Sequence, residues 1–209
     1  MDAPGDLRSF FSHFVAVSLF FAGCLPASAS SNAAPTNQSI PWTQLGASAT
    51  AQYSGDGLGV IATPRGAQLR CVLQKLEGEV TAEGLWLNST VPGARDQLQV
   101  AAARLGRDAG QSLVLDKQGA VQVVDAQARY VRPALIEEYS VTADGIRQDF
   151  LLTQSPAGSG PLRLHLTLRG ARAETSPDGA RLVFETSGRE LSYHRLRVTD
   201  ATGRELATL

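Results

Sequence analysis

Between Pro161 and Gly170, Leu162, Leu164, Leu166 and Leu168 recur at every second position, with Arg163, His165, Thr167 and Arg169 between them. A period of two is that of a strand with one buried and one wet face. Such a strand needs a second apolar layer to cover it. The chain offers many more short segments of this kind and no amphipathic helix after residue 30. The pattern predicts an all-β fold, an antiparallel β-sandwich, with two packed β lobes as the alternative arrangement.

Taken in order, the same reading predicts most of the strands. Gln68 to Lys75 and Val80 to Asn88 read as a hairpin with Glu77-Gly78 near its tip. Gln97 to Leu105 alternates with Leu98, Val100 and Ala102 on one side. Ser112 to Leu115 and Ala120 to Val124 read as two short strands joined by the turn Asp116-Lys117-Gln118-Gly119. In the hairpin from Leu135 to Thr153, a two-residue turn at Asp144-Gly145 sets Tyr139 opposite Phe150. Thr175 to Gly179 is a turn. In Glu190 to Thr199 the apolar parity switches from Leu191 and Tyr193 to Leu196 and Val198, which predicts a bulge near His194-Arg195. Asp200-Ala201-Thr202-Gly203 is a further turn leading into a strand at Arg204-Glu205-Leu206.

The N-terminus is a different kind of sequence. Arg8 precedes an apolar run from Phe10 to Leu25, followed by Pro26 and Ala27-Ser28-Ala29. This is the pattern of a secretory signal peptide over residues 1–29, helical in its apolar part and cleaved after Ala29. An alternative rests on Phe21-Ala22-Gly23-Cys24, which resembles the bacterial lipobox and makes Cys24 a lipidation candidate. Residues 30–41 are small and polar and read as a flexible linker. Residues 42–209 form the β-rich domain, with sub-lobes at 42–107 and 108–209 as the finer division. Export makes the location secreted or cell envelope, and membrane contact is expected only through the leader or a lipid anchor.

Composition narrows the chemistry. The formal charge of -1, with 17 Arg against 2 Lys, carries no basic excess of the kind that nucleic-acid binding requires. Removal of the leader leaves Cys71 as the single cysteine, so no intrachain disulfide is expected; its parity with Leu69 and Leu73 reads as a buried thiol. His165 lies on the polar face of its strand, His194 sits at the predicted bulge, and neither has metal-ligand spacing around it. Glu137 and Glu138 point to opposite faces of a strand and read as surface charge. Gly55 to Gly59 lacks the spacing and following helix of a phosphate loop, and Ser159 lacks the glycines of a nucleophile elbow. No catalytic set, metal or cofactor is expected. Leu85-Trp86-Leu87 is apolar on both faces, so either Trp86 packs under a neighbouring layer or it projects outward. An exposed Trp on a flat sheet stacks sugar rings, which makes Trp86, with Trp42, the candidate ligand-binding pair.

Ile136-Glu137-Glu138-Tyr139-Ser140-Val141, Asp144 to Phe150, and Ser187 to Tyr193 resemble the uncharacterised N-terminal β-rich region of large secreted bacterial repeat proteins, in which such segments precede β-propeller-type repeats. The resemblance spans residues 134–200 and, more loosely, Trp42 to Gly106. It implies an extracellular, non-enzymatic module whose partners are C-terminal repeat domains of the same polypeptide. The expected function is a spacer or interaction domain of a larger exported surface protein; the alternative is a carbohydrate-binding module with Trp86 as its platform. The third reading, a hydrolase on distant carboxylates, requires two acids about 5 to 10 Å apart in a cleft.

Overall fold

The computed structural model describes residues 15–23, 48–53, 55–107 and 112–208. Sixteen strands in two antiparallel sheets account for most of them, with a short helix at residues 48–52 and one 3-10 turn at Val72–Gln74.

Sheet A runs in the order β13 (Ala171–Ser176), β14 (Gly179–Phe184), β15 (Glu190–Thr199), β1 (Val15–Gly23), β11 (Gly145–Leu152), β10 (Leu135–Thr142), β9 (Gln127–Arg132) and β8 (Ala120–Val124), with β16 (Glu205–Leu206) beside β15. Sheet B runs β12 (Arg163–Arg169), β6 (Gln97–Gly106), β5 (Gly84–Ser89), β4 (Leu76–Thr81), β3 (Gly66–Cys71) and β2 (Leu58–Thr63), with β7 (Leu113–Val114) beside β6. Alternation on both sheets supplies one core. Leu69, Leu85, Leu87, Leu98 and Val100 from sheet B meet Tyr130, Leu135, Tyr139, Ile146 and Phe150 from sheet A, each at most 2% exposed. The all-β sandwich expected from the pattern is therefore present.

Several local expectations are corrected. The described part of the expected signal helix, Val15–Gly23, is the extended strand β1, paired on both edges. In register, Val15, Val17, Leu19 and Phe21 stand opposite Leu152, Phe150, Gln148 and Ile146. Ala16, Ser18, Phe20 and Ala22 take the other parity. Glu77-Gly78 is not a tip but lies inside β4, where Gly78 pairs with Leu69; a Cβ there would stand 2.9 Å from Leu69 Cδ1. The turn is made earlier, by Val72–Gln74 and Lys75 at φ 50°.

The β10–β11 hairpin turns at Ala143-Asp144, one residue before the predicted centre, so Tyr139 faces Gln148 and Glu137 faces Phe150. Tertiary contacts fix the tip there, since the Ala143 N–H donates to Thr50 Oγ1 at 2.8 Å and its carbonyl accepts from Gln74 Nε2 at 3.0 Å. β7 and β8 do not pair with each other; β7 joins sheet B and β8 joins sheet A. The loop between them is a crossover, held by Arg132 Nη1 on the Asp116 carbonyl and Tyr130 Oη on the Lys117 carbonyl. The leucine-alternating strand, β12, lies at the edge of sheet B and pairs with β6 alone. The bulge at His194-Arg195 is as expected, with Arg195 at φ 62° and a register shift against β1 at this point.

Candidate functional site

The outer face of sheet B is built by strand register. Ile61, Gln68, Glu79, Trp86, Gln99 and Arg169 pair successively across β2, β3, β4, β5, β6 and β12, forming one row over six strands. A second row carries Arg70, Glu77, Asn88 and Gln97. The core side of the same strands holds Leu69, Val80, Leu85, Leu87 and Leu98, so parity alone sends the polar groups and Trp86 outward. Trp86 is partly exposed, flanked in register by the Glu79 carboxylate and the Gln99 amide. Glu79 is bridged to Arg65 at 2.8 Å, Gln99 Nε2 donates to the Glu83 carbonyl at 2.9 Å, and Gln97 Nε2 donates to Asn88 Oδ1 at 3.0 Å. A depression of about 500 Å³ on the same face is lined by Arg65, Gln68, Glu77, Glu79 and Asn88 among others; it reaches Glu79, the register partner of Trp86, and the indole itself is not part of its lining. The indole can stack on a polyhydroxylated ring, and the amides and carboxylates of the two rows can hydrogen-bond to its hydroxyls.

Of the predicted ligand pair, Trp86 is thus on an accessible face, whereas Trp42 and the lipidation candidate Cys24 lie outside the described residues. His165 borders a second depression, of about 390 Å³, with Arg104, Arg107 and Arg163. There Arg107 is occupied by the carbonyls of Pro156 and Gly160 at 3.3 and 3.0 Å. His194 stands at the bulge, and burial, with Arg195 beside it, pushes its pKa below the ordinary value.

Glu137 is the residue that sequence reasoning misplaced. It is 1% exposed and lies in the core, not on the surface. Arg132 Nη2 donates to Glu137 Oε1, while Tyr139 Oη and Gln148 Nε2 donate to Glu137 Oε2 at 2.7 and 2.8 Å. Tyr193 Oη donates to Gln148 Oε1 at 3.0 Å, extending the network from β9 through β10 and β11 to β15. Arg132 also donates from Nη1 to the carbonyls of Ala102 and Asp116 at 2.8 and 2.9 Å, and its guanidinium stacks 4.8 Å from the centre of the Tyr130 ring.

Burial pushes the Glu137 carboxyl above its usual range, against the pull of Arg132. It raises Tyr139 and Tyr193 well above theirs, with the Glu137 charge acting in the same direction. The signal for this network was in the sequence: Glu137 shares parity with Leu135 and Tyr139, and Arg132 with Ala128 and Tyr130, so each charge interrupts a core-facing row. Outside, Glu138 and Asp149 face each other in register, and each is taken up by an arginine, Arg129 and Arg147, at 2.8 Å.

Cys71 is buried, with Sγ 3.6 Å from the Thr142 carbonyl, and burial pushes its thiol up to about 11. In a Cys24→Ser chain, Cys71 is expected to resist a disulfide reagent at pH 8, where thiolate amounts to about one part in a thousand, and to react fully in urea. Labelling of the folded protein at the rate of a free thiol contradicts this placement.

Among the described residues, no group of three or more His, Cys, Asp or Glu is placed to hold a metal ion. No described helix is long and apolar enough to cross a membrane. The comparisons with known proteins found no matching family model, no matching curated protein and no matching solved structure.

Proposed function

We propose that this chain is a non-catalytic interaction module, exported by its leader and serving as the N-terminal spacer or interaction domain of a larger surface protein. The observation that carries the reading is the continuous outward row from Ile61 to Arg169, six strands wide, in which Gln68, Glu79, Gln99 and Arg169 are polar and one partly exposed indole sits near the middle. Three of the carboxylates on sheet A are already engaged. Glu137 is enclosed by three donors, and Glu138 and Asp149 are each neutralised by an arginine. A face of this kind presents and holds. Tandem repeats on the same polypeptide are its proposed structural partners, following the resemblance of residues 134–200.

The carbohydrate-binding reading is favoured by one further observation, a depression on the same face as Trp86, lined with amide, carboxylate and guanidinium groups and including Glu79, the register partner of Trp86. A glycan array probed with the full chain is expected to give binding that falls by about tenfold or more in Trp86→Ala, the loss of one stacking surface. Binding unchanged by that substitution removes Trp86 from the site. Absence of binding to any glycan removes the carbohydrate reading and leaves the spacer reading standing.

A further inference from the structure

β1 occupies an internal position of sheet A with seven register partners on each side, from β11 and from β15. It is antiparallel to both, so β11 and β15 are parallel to each other. Adjacent strands lie about 4.8 Å apart, which sets β11 and β15 at roughly 9.5 Å, one strand too far to pair directly. Two ties independent of β1 span the space. Tyr193 Oη reaches Gln148 Oε1 at 3.0 Å on the core side, and Arg195 Nη1 meets Asp144 Oδ2 at 2.9 Å near the β10–β11 turn. Closing the space requires the two walls to approach each other by about 4.8 Å, one strand spacing, and these two side-chain contacts to be rebuilt at the shorter span.

The same residues are the apolar core of the leader read from the sequence, with its cleavage site after Ala29. A chain cut there loses the strand between β11 and β15. The backbone N–H and C=O groups along both walls then lack partners, and the row Ile146, Phe150, Leu191 and Tyr193 loses its neighbour in the sheet. Among the described residues, the other strands already have places in the two sheets. Residues 30–47 carry Pro35 and Pro41 and no run of alternating apolar residues, so they make a poor replacement.

We propose that the space between β11 and β15 is a strand-acceptor site which, once Val15–Gly23 is cut away, binds an extended segment of another polypeptide by pairing on both edges. The ligand is a stretch of about nine residues, free of proline, antiparallel to β11, with large apolar side chains at alternate positions in the manner of Val15, Val17, Leu19 and Phe21. Main-chain bonds to both walls supply affinity, and the alternate positions set register against Leu152, Phe150, Gln148 and Ile146. The inference rests on the reading of residues 1–29 as a removable leader, and it gives the proposed interaction module a specific mode of interaction.

The test uses the full chain with a protease site inserted between residues 30 and 41, folded first, then cut, with the severed N-terminal piece released in mild urea and removed by gel filtration, its loss checked by intact mass. A labelled peptide of the Val15–Gly23 sequence, carrying a lysine tail for solubility, is added in excess and followed by fluorescence anisotropy. Saturable uptake of one peptide per chain is expected, with hydrogen exchange along β11 and β15 slowed when the site is filled. A Ser18→Pro peptide is expected to bind about tenfold more weakly or less, because proline removes a ladder donor at a position paired on both sides. No uptake by the cut chain overturns the inference, whether that chain stays folded or unfolds beyond rescue by the peptide. Equal uptake of the proline peptide also overturns it. The leader reading fails separately, by intact mass of the exported protein showing Val15–Gly23 still attached.

Discussion

Replacing Arg132 by leucine is expected to destabilise the domain by about 3 to 5 kcal/mol, the usual cost of leaving a buried charge without its partner. Arg132 is 4% exposed and carries three roles together: it pairs with Glu137, caps the carbonyls of Ala102 and Asp116, and stacks over Tyr130. Ala102 belongs to sheet B and Glu137 to sheet A, so the one guanidinium joins the layers in the middle of the sandwich. In Arg132→Leu the Glu137 carboxylate keeps only Tyr139 and Gln148 as donors, in surroundings that already disfavour its charge. Urea unfolding reads the effect as a midpoint lower by about 2 M for a slope near 2 kcal/mol per M.

A second variant separates the charge from the packing. Arg132→Leu combined with Glu137→Leu removes both ions and should be no less stable than Arg132→Leu alone, since an apolar pair of similar volume replaces a buried salt bridge at little net cost. The freed carbonyls of Ala102 and Asp116, with the Tyr139 hydroxyl and Gln148 amide deprived of the Glu137 acceptor, keep it below the parent protein. A single-variant loss under about 1 kcal/mol would falsify the claim that this charge is enclosed and uncompensated without its partner.

The class of fold was legible because alternation is a local property. Leu98, Val100 and Ala102 lie within one strand, and each is buried where its parity puts it. The bulge at Arg195 was legible for the same reason: a break in parity marks the extra residue. Partner choice was not legible. The Asp116 to Gly119 turn looks locally like any hairpin loop, and the Arg132 and Tyr130 groups that turn it into a crossover are remote in sequence. The β10–β11 turn moved by one residue through Thr50 and Gln74, also remote.

Val15–Gly23 carries two compatible patterns. A predominantly apolar run reads as a leader, while Val15, Val17, Leu19 and Phe21 set against Ala16, Ser18 and Ala22, with Phe20 as the exception, read as a strand, and pairing with β11 and β15 accompanies the second. The outward face was half legible. Trp86 could be singled out, but its row of partners needs the register of six strands at once.

Gly170→Ala is expected to cost about 2 to 4 kcal/mol, through backbone strain and a collision acting together. Gly170 ends β12 and begins the step to β13, where the chain leaves sheet B for sheet A, and it does so at φ +76°. A Cβ there would stand 2.1 Å from the Gln97 carbonyl oxygen, a backbone atom of β6 that cannot rotate away. The Gly170 carbonyl meanwhile accepts from the Glu185 N–H at 3.1 Å, so retreat from Gln97 strains a second contact. Gly203 provides the control. It has φ +84° with nothing within 4 Å of where an added Cβ would stand, so Gly203→Ala should lose about 1 kcal/mol from the backbone conformation alone. Thermal unfolding of the two variants under one condition isolates the collision as their difference. Equal losses at both sites mean that β6 can yield at Gln97 and that the crossover between the sheets is looser than the packing around it implies.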